Sequence, residues 1–154
     1  MRFLLYWKGP VGPLSVRLAR NSILELSKRI AVLASYSPVE FARKLRRIDD
    51  VLRWKATEFR QFLRYFGPFV LDGILQDCVF RHFMLLFVGM RILASKQLAH
   101  QFCDYANELL VKFVKDAETL YGKEAMVYNV HSLVHLAADV KRLGCLDEFS
   151  SFVF

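Results

Sequence analysis

Apolar residues recur along this chain at spacings of three and four, and the recurrence breaks at a few Gly and Pro residues. Ile23, Leu26, Ile30 and Leu33 form one stripe that predicts a helix to about Ala34, with Asn21 or Ser22 as its cap and Glu25 three residues after Ser22. Ser37-Pro38-Val39-Glu40 spells a second capping box and predicts a short helix starting there. From Asp49 a longer helical pattern runs to Phe66, and the restriction that Pro68 places on its predecessor predicts a stop at Gly67-Pro68. Phe69 to about Ser95 is apolar on nearly every side, as suits a central helix, with Gly73 and Gly89 interrupting it. Leu98, Phe102, Tyr105, Leu109, Phe113 and Leu120 carry a helix from Lys96 to Tyr121 that Gly122 closes. A last helix runs from about Tyr128 to Leu143, before Gly144, with Leu133, Leu136, Val140 and Leu143 as its core face. Residues 1 to 19 hold Gly9, Pro10, Gly12 and Pro13 between two apolar patches, which reads as an incoming strand or helix end and a turn. The expected fold class is all-α: an irregular bundle of about five to six helices with no substantial sheet, forming a single helical region over residues 1–154.

Composition adds a surplus of apolar surface. The apolar fraction is 55%, with 14 Phe, above what one small soluble domain ordinarily needs. Some of it is expected to meet a partner or to drive self-association. Lys and Arg number 22 against 15 Asp and Glu, a net charge of +7, which suits polyanions such as DNA and equally suits plain solubility. Cys78, Cys103 and Cys145 have no CxxC spacing, so neither a zinc ribbon nor a disulfide framework is signalled, and a reducing compartment is expected. The apolar run Phe3 to Trp7 is shorter than a signal-peptide core, and His82 to Met90 is too short to span a bilayer. The reading is an intracellular chain without a membrane partner.

Two constellations are candidates for chemistry. In Arg53-Trp54-Lys55-Ala56-Thr57-Glu58-Phe59-Arg60-Gln61-Phe62-Leu63, Lys55 falls inside the apolar arc of a helical projection. A structural ion pair between Lys55 and Glu58 explains it, the other reading being a lysine held for a phosphate or acidic partner. Arg46, Arg53, Arg60 and Arg64 stack in a narrow arc if one helix runs from 46 to 64, a ridge that either follows a phosphate backbone or is a solvated face. Trp54 beside it either stacks on a base or packs against a neighbouring helix.

The second constellation is His131-x3-His135-x3-Asp139. His131 and His135, one turn apart, have bidentate spacing for zinc, but Asp139 lies roughly 12 Å from His131 along a helix axis, too far for all three to share one ion. Ser132 stands where a zinc protease would have glutamate; a metal-dependent enzyme on this His pair and a proton-transfer role are the sharper readings, and hydrogen bonding at an edge is the bland alternative. No phosphate-cradling glycine loop, catalytic triad or catalytic cysteine stands out, and no cofactor is signalled.

The block from Arg53 to Leu63, followed by Tyr65 and Gly67-Pro68, then Tyr128-Asn129-Val130-His131-Ser132-Leu133-Val134-His135-Leu136 and Gly144-x-Leu146-Asp147-x-Phe149-Ser150, resembles transposase-derived proteins of animal genomes. More distantly it resembles the helical region downstream of the catalytic core in CACTA-type transposases. The resemblance covers about residue 14 to the end. It implies full-length relatives that cut and join DNA with a carboxylate set and Mg²⁺, a nuclear location, and a fragment truncated at both ends. The partners it implies are DNA and the missing catalytic body. No catalytic residue carries over, because Asp139 and Asp147 have no demonstrated acidic partners and one carboxylate cannot hold a metal pair, and the chain is not expected to catalyse on its own.

Overall fold

The computed structural model describes residues 2–9, 11–36 and 43–149. Among these residues the chain is helical with no strand, an all-α irregular bundle. It divides into two compact units, residues 1–80 and 81–153.

The first unit opens with α1 (Arg2–Lys8), a helix where the sequence left strand or helix open, burying Leu4, Tyr6 and Trp7. The Leu18 amide donates to the Trp7 carbonyl at 2.7 Å and brings the chain back past α1. That return needs Gly12, at φ +87°, because a Cβ there would lie 2.5 Å from the Tyr6 ring. Helix α2 (Arg20–Ser35) buries Leu26 and Ile30 as the stripe predicts. It starts earlier than expected, behind Ala19 and without a side-chain cap, so Ser22 lies inside it. The capping box at residues 37–40 lies outside the described residues.

The long helix expected from Asp49 to Phe66 is not continuous. A 3₁₀ segment over Ile48–Arg53 ends at Trp54, whose backbone is extended (ψ 137°), and α3 (Ala56–Gln61) begins behind Lys55. Trp54 marks the break. It is 5% exposed, packs on Phe59 and Phe62, and donates its indole N–H at 3.2 Å to the Arg47 carbonyl, which also accepts from the Asp50 amide at 3.0 Å, an inward packing that the extended backbone at this residue accompanies.

Gly67-Pro68 does not stop the helix either. Residues Phe62–Phe66 form a wider turn in which the Gly67 amide reaches the Phe62 carbonyl five residues back, and α4 (Gly67–Leu71) follows with Pro68 in its first turn. The wide turn absorbs the missing proline donor without ending the helix. The apolar run from Phe69 is instead broken after Leu71, whose carbonyl accepts from Ile74 and Leu75. Leu26 and Ile30 share the unit's core with Ile48, Val51, Phe62, Val70 and Leu71.

Helix α5 (Asp77–Ala94) crosses from one unit into the other. In the second unit, Ile92, Leu93, Ala106 and Leu110 join Ala137, Val140 and Leu146 in one cluster. Helix α6 (Lys96–Tyr121) has the predicted bounds, a Ser95 hydroxyl that accepts from the Leu98 amide, and a kink at Phe102. It ends at Gly122, at φ +82°, with nothing within 4 Å of a Cβ placed there. Gly122→Ala is expected to cost about 1 kcal/mol from the left-handed backbone alone, readable as a lower urea midpoint at unchanged m-value. The final predicted helix is resolved into α7 (Tyr128–His131), a 3₁₀ turn over Ser132–His135, and α8 (Leu136–Leu143), followed by α9 (Leu146–Phe149). Ala137 and Val140 are buried, whereas Leu143, expected in the core, is 50% exposed.

Candidate nucleic-acid interface

Glu58 is the centre of the basic region, and its partner is not the expected one. Its carboxylate is fully buried and accepts from Arg46 Nε at 2.8 Å and Nη2 at 2.7 Å, a two-pronged guanidinium pair. Its Oε2 also accepts from the Lys55 backbone amide at 2.8 Å, so Glu58 caps the first turn of α3. The ion pair predicted between the Lys55 and Glu58 side chains is therefore corrected: only the Lys55 amide meets the carboxylate, and the Lys55 side chain is exposed. A helical projection from Val51 to Phe66 turns Lys55 inward, and the extended backbone at Trp54 and Lys55 cancels that projection. The Arg46 hydrogen bond holds the Glu58 carboxyl below its ordinary range, against the upward push of burial. The same hydrogen bond raises the Arg46 guanidinium.

The predicted ridge of Arg46, Arg53, Arg60 and Arg64 loses its premise with the helix break. Arg46 turns into Glu58 and also donates to the Arg53 carbonyl. The Arg53 side chain is 80% exposed and lies 3.9 Å from Asp50. Arg60 is half-buried, and the Arg64 guanidinium lies 5.7 Å from the Tyr65 ring centroid. Trp54 packs and does not present a free face.

The run Arg43-Lys44-Leu45-Arg46-Arg47, four cations in five residues, is a signal visible in the sequence that helical periodicity does not bring out. Leu45 is buried, whereas Arg43, Lys44 and Arg47 are exposed. The division of charge is equally uneven. Residues 1–80 carry 14 Lys and Arg against 7 Asp and Glu, and residues 81–154 carry 8 against 8, so the whole net charge of +7 belongs to the first unit.

His131 and His135 are both exposed, with ring centroids 6.2 Å apart across the 3₁₀ turn. Asp139 is held by Arg142 at 3.2 Å. Among the described residues no three His, Cys, Asp or Glu side chains group as metal ligands, which leaves this pair without a third protein donor. Among the same residues no helix is long and apolar enough to cross a membrane.

An open cleft of about 360 Å³ lies in the second unit between α6, α8 and α9. Two ion pairs cross it, Lys96 to Glu148 at 3.3 Å and Lys141 to Asp104 at 2.5 Å. Cys103 lines its floor, donates to the Ala137 carbonyl at 3.4 Å, and is raised by burial, which makes it an unreactive thiol. Lys96, Glu148, Lys141 and Asp104 in the cleft are paired with opposite charges and sum to zero net charge.

No family model, curated protein or solved structure matches the chain.

Proposed function

We propose that the chain is a non-catalytic helical part of a transposase-like protein, and that its first unit contacts DNA or the catalytic body of such a protein. On this reading it acts in the nucleus. The observation that supports it is the segregation of charge: a first unit with twice as many cations as anions beside a second unit with none in excess. Solubility alone gives no reason for such a division, whereas a surface that meets phosphates does. The sequence blocks that resemble transposase-derived proteins lie in both units.

The purified chain is expected to bind a labelled duplex of arbitrary sequence at about 50 mM salt and to release it by about 200 mM, as counterion release requires. Absence of binding at the lower salt removes the DNA half of the reading. Nicking of supercoiled DNA by the purified chain in Mg²⁺ or Mn²⁺ would remove the non-catalytic half.

A second reading, a helical module that binds protein, draws on the apolar surface of the first unit. Val32 and Phe69, 57% and 72% exposed, line a groove of about 320 Å³ with Lys28, Arg29 and Leu33. Apolar-dye binding and concentration-dependent association that Phe69→Ser abolishes would favour it.

A further inference from the structure

Residues 43–47 run without helical structure into the 3₁₀ segment at Ile48, and four separate fixings hold them in place. The Gln61 side-chain amide donates to the Arg43 carbonyl at 2.9 Å. The Leu45 side chain is 5% exposed. The Arg46 guanidinium grips Glu58, and the Trp54 indole donates to the Arg47 carbonyl. With the backbone tied down and Leu45 and Arg46 engaged by the fold, Arg43, Lys44 and Arg47 remain exposed. Arg53 and Lys55 flank the same buried pair, since the Arg53 carbonyl accepts from Arg46 and the Lys55 amide donates to Glu58. Both of their side chains are also exposed.

We infer that this pinned basic strap, residues 43–47 with Arg53 and Lys55, is a binding site for the phosphodiester backbone of nucleic acid. The inference rests on the DNA-contacting half of the proposed function and moves the contact away from a helical ridge. From Arg43 to Arg47 the strap spans at most about 14 Å, a length over which a duplex presents roughly eight phosphate charges. Its backbone is held at both ends by side-chain bonds, which lowers the ordering cost that binding must meet. The nearby acids compete weakly: Asp49 lies 3.6 Å from Arg47 and Asp50 lies 3.9 Å from Arg53, both pairs partly or largely exposed. Leu45 within residues 43–47 is turned inward, so that run offers a partner cations and N–H donors, and Leu52, 75% exposed beside Arg53, is a single apolar side chain at its edge that is not buried. Phosphate backbones are held by such rows of cations, whereas protein interfaces gain most from buried anchors.

The test compares the full chain with Arg43→Ala/Lys44→Ala/Arg47→Ala and with a control, Arg91→Ala/Lys115→Ala/Lys123→Ala, that removes as many exposed cations from the second unit. Binding of a fluorescein-labelled duplex is measured across a salt series. The strap variant should lose at least tenfold in affinity at low salt and about 2.7 from the log–log salt slope, and the control should change little. Equal losses in the two variants would overturn the strap while leaving DNA contact standing; no binding by the unaltered chain would overturn both. Polyglutamate displacing the duplex as well as unlabelled duplex does would overturn the assignment to nucleic acid. The single substitution Lys44→Glu repeats the comparison if the triple variant melts early: a weakened complex with unchanged melting supports the strap, and an unweakened one overturns it.

Discussion

Glu58→Ala is expected to lower the melting temperature by roughly 10 °C, while Lys55→Ala leaves it nearly unchanged. Glu58 is fully buried and accepts three hydrogen bonds, two from Arg46 and one from the Lys55 amide. Removing it strands one end of α3 and the Arg46 guanidinium together. The Arg46 side chain is 38% exposed, so water recovers part of what the guanidinium loses. The cost is therefore placed at about 2–3 kcal/mol, below the full penalty for a broken buried pair. A double-mutant cycle over Arg46 and Glu58 should give a coupling well above that for Lys55 and Glu58, and a reversed order would mean that the pairing is misassigned. The pH dependence has a definite sign. The Glu58 carboxyl is held below its unfolded value, so its contribution is complete above about pH 4.3 and is lost as the pH falls through the folded value.

The second large effect is expected at His82 in α5, which is 2% exposed. Its ring stacks on Phe113 with centroids 4.2 Å apart, and Nε2 lies 2.9 Å from the Phe113 carbonyl. A carbonyl only accepts, so Nε2 carries the proton, and Nδ1 accepts from the Tyr121 hydroxyl at 3.4 Å. Burial lowers the His82 pKa, opposed by its bond to Phe113 and by Asp116, and Lys112 lowers it further. Because the folded value lies below the unfolded one near 6.5, the unfolded chain takes up a proton that the folded chain refuses. Stability should therefore be flat above about pH 7.5 and fall as the pH drops through about 6.5. His82→Ala is expected to cost about 2–4 kcal/mol through the cavity it leaves, and to flatten the fall between pH 7 and 5.5. Thermal melts of both proteins across this range check the two statements, and an undiminished acid loss in the variant would place the titrating group elsewhere.

The basic region shows where helical projection fails. The spacing of Val51, Phe59, Phe62 and Phe66 is compatible with one helix, and a single-sequence reading extends that period through Trp54. The structure breaks it at Trp54 and Lys55 and holds the surrounding segment by side chains bonded to backbone carbonyls: Trp54 on Arg47, Gln61 on Arg43, and Arg46 on Arg53. Each joins residues 7 to 18 apart. Periodicity carries no term for such bonds, so Lys55 was turned inward and Arg46 outward, the reverse of what the tertiary structure does.

The sequence by itself determined that the chain is helical and that one helix runs from Lys96 to Tyr121 before Gly122, although packing buries Ala99, Cys103, Ala106 and Leu110 and leaves Phe102 and Tyr105 of the expected stripe exposed. It also determined the apolar face of α2, and it already held the charge asymmetry. The tertiary structure alone decided the partner of Glu58, the passage of the helix through Gly67-Pro68, the pinning of residues 43–47, and the burial of His82. The physical reason is common to all four. Local period and capping chemistry act over one or two turns, whereas the choice among competing donors and acceptors is settled by which groups packing has removed from water.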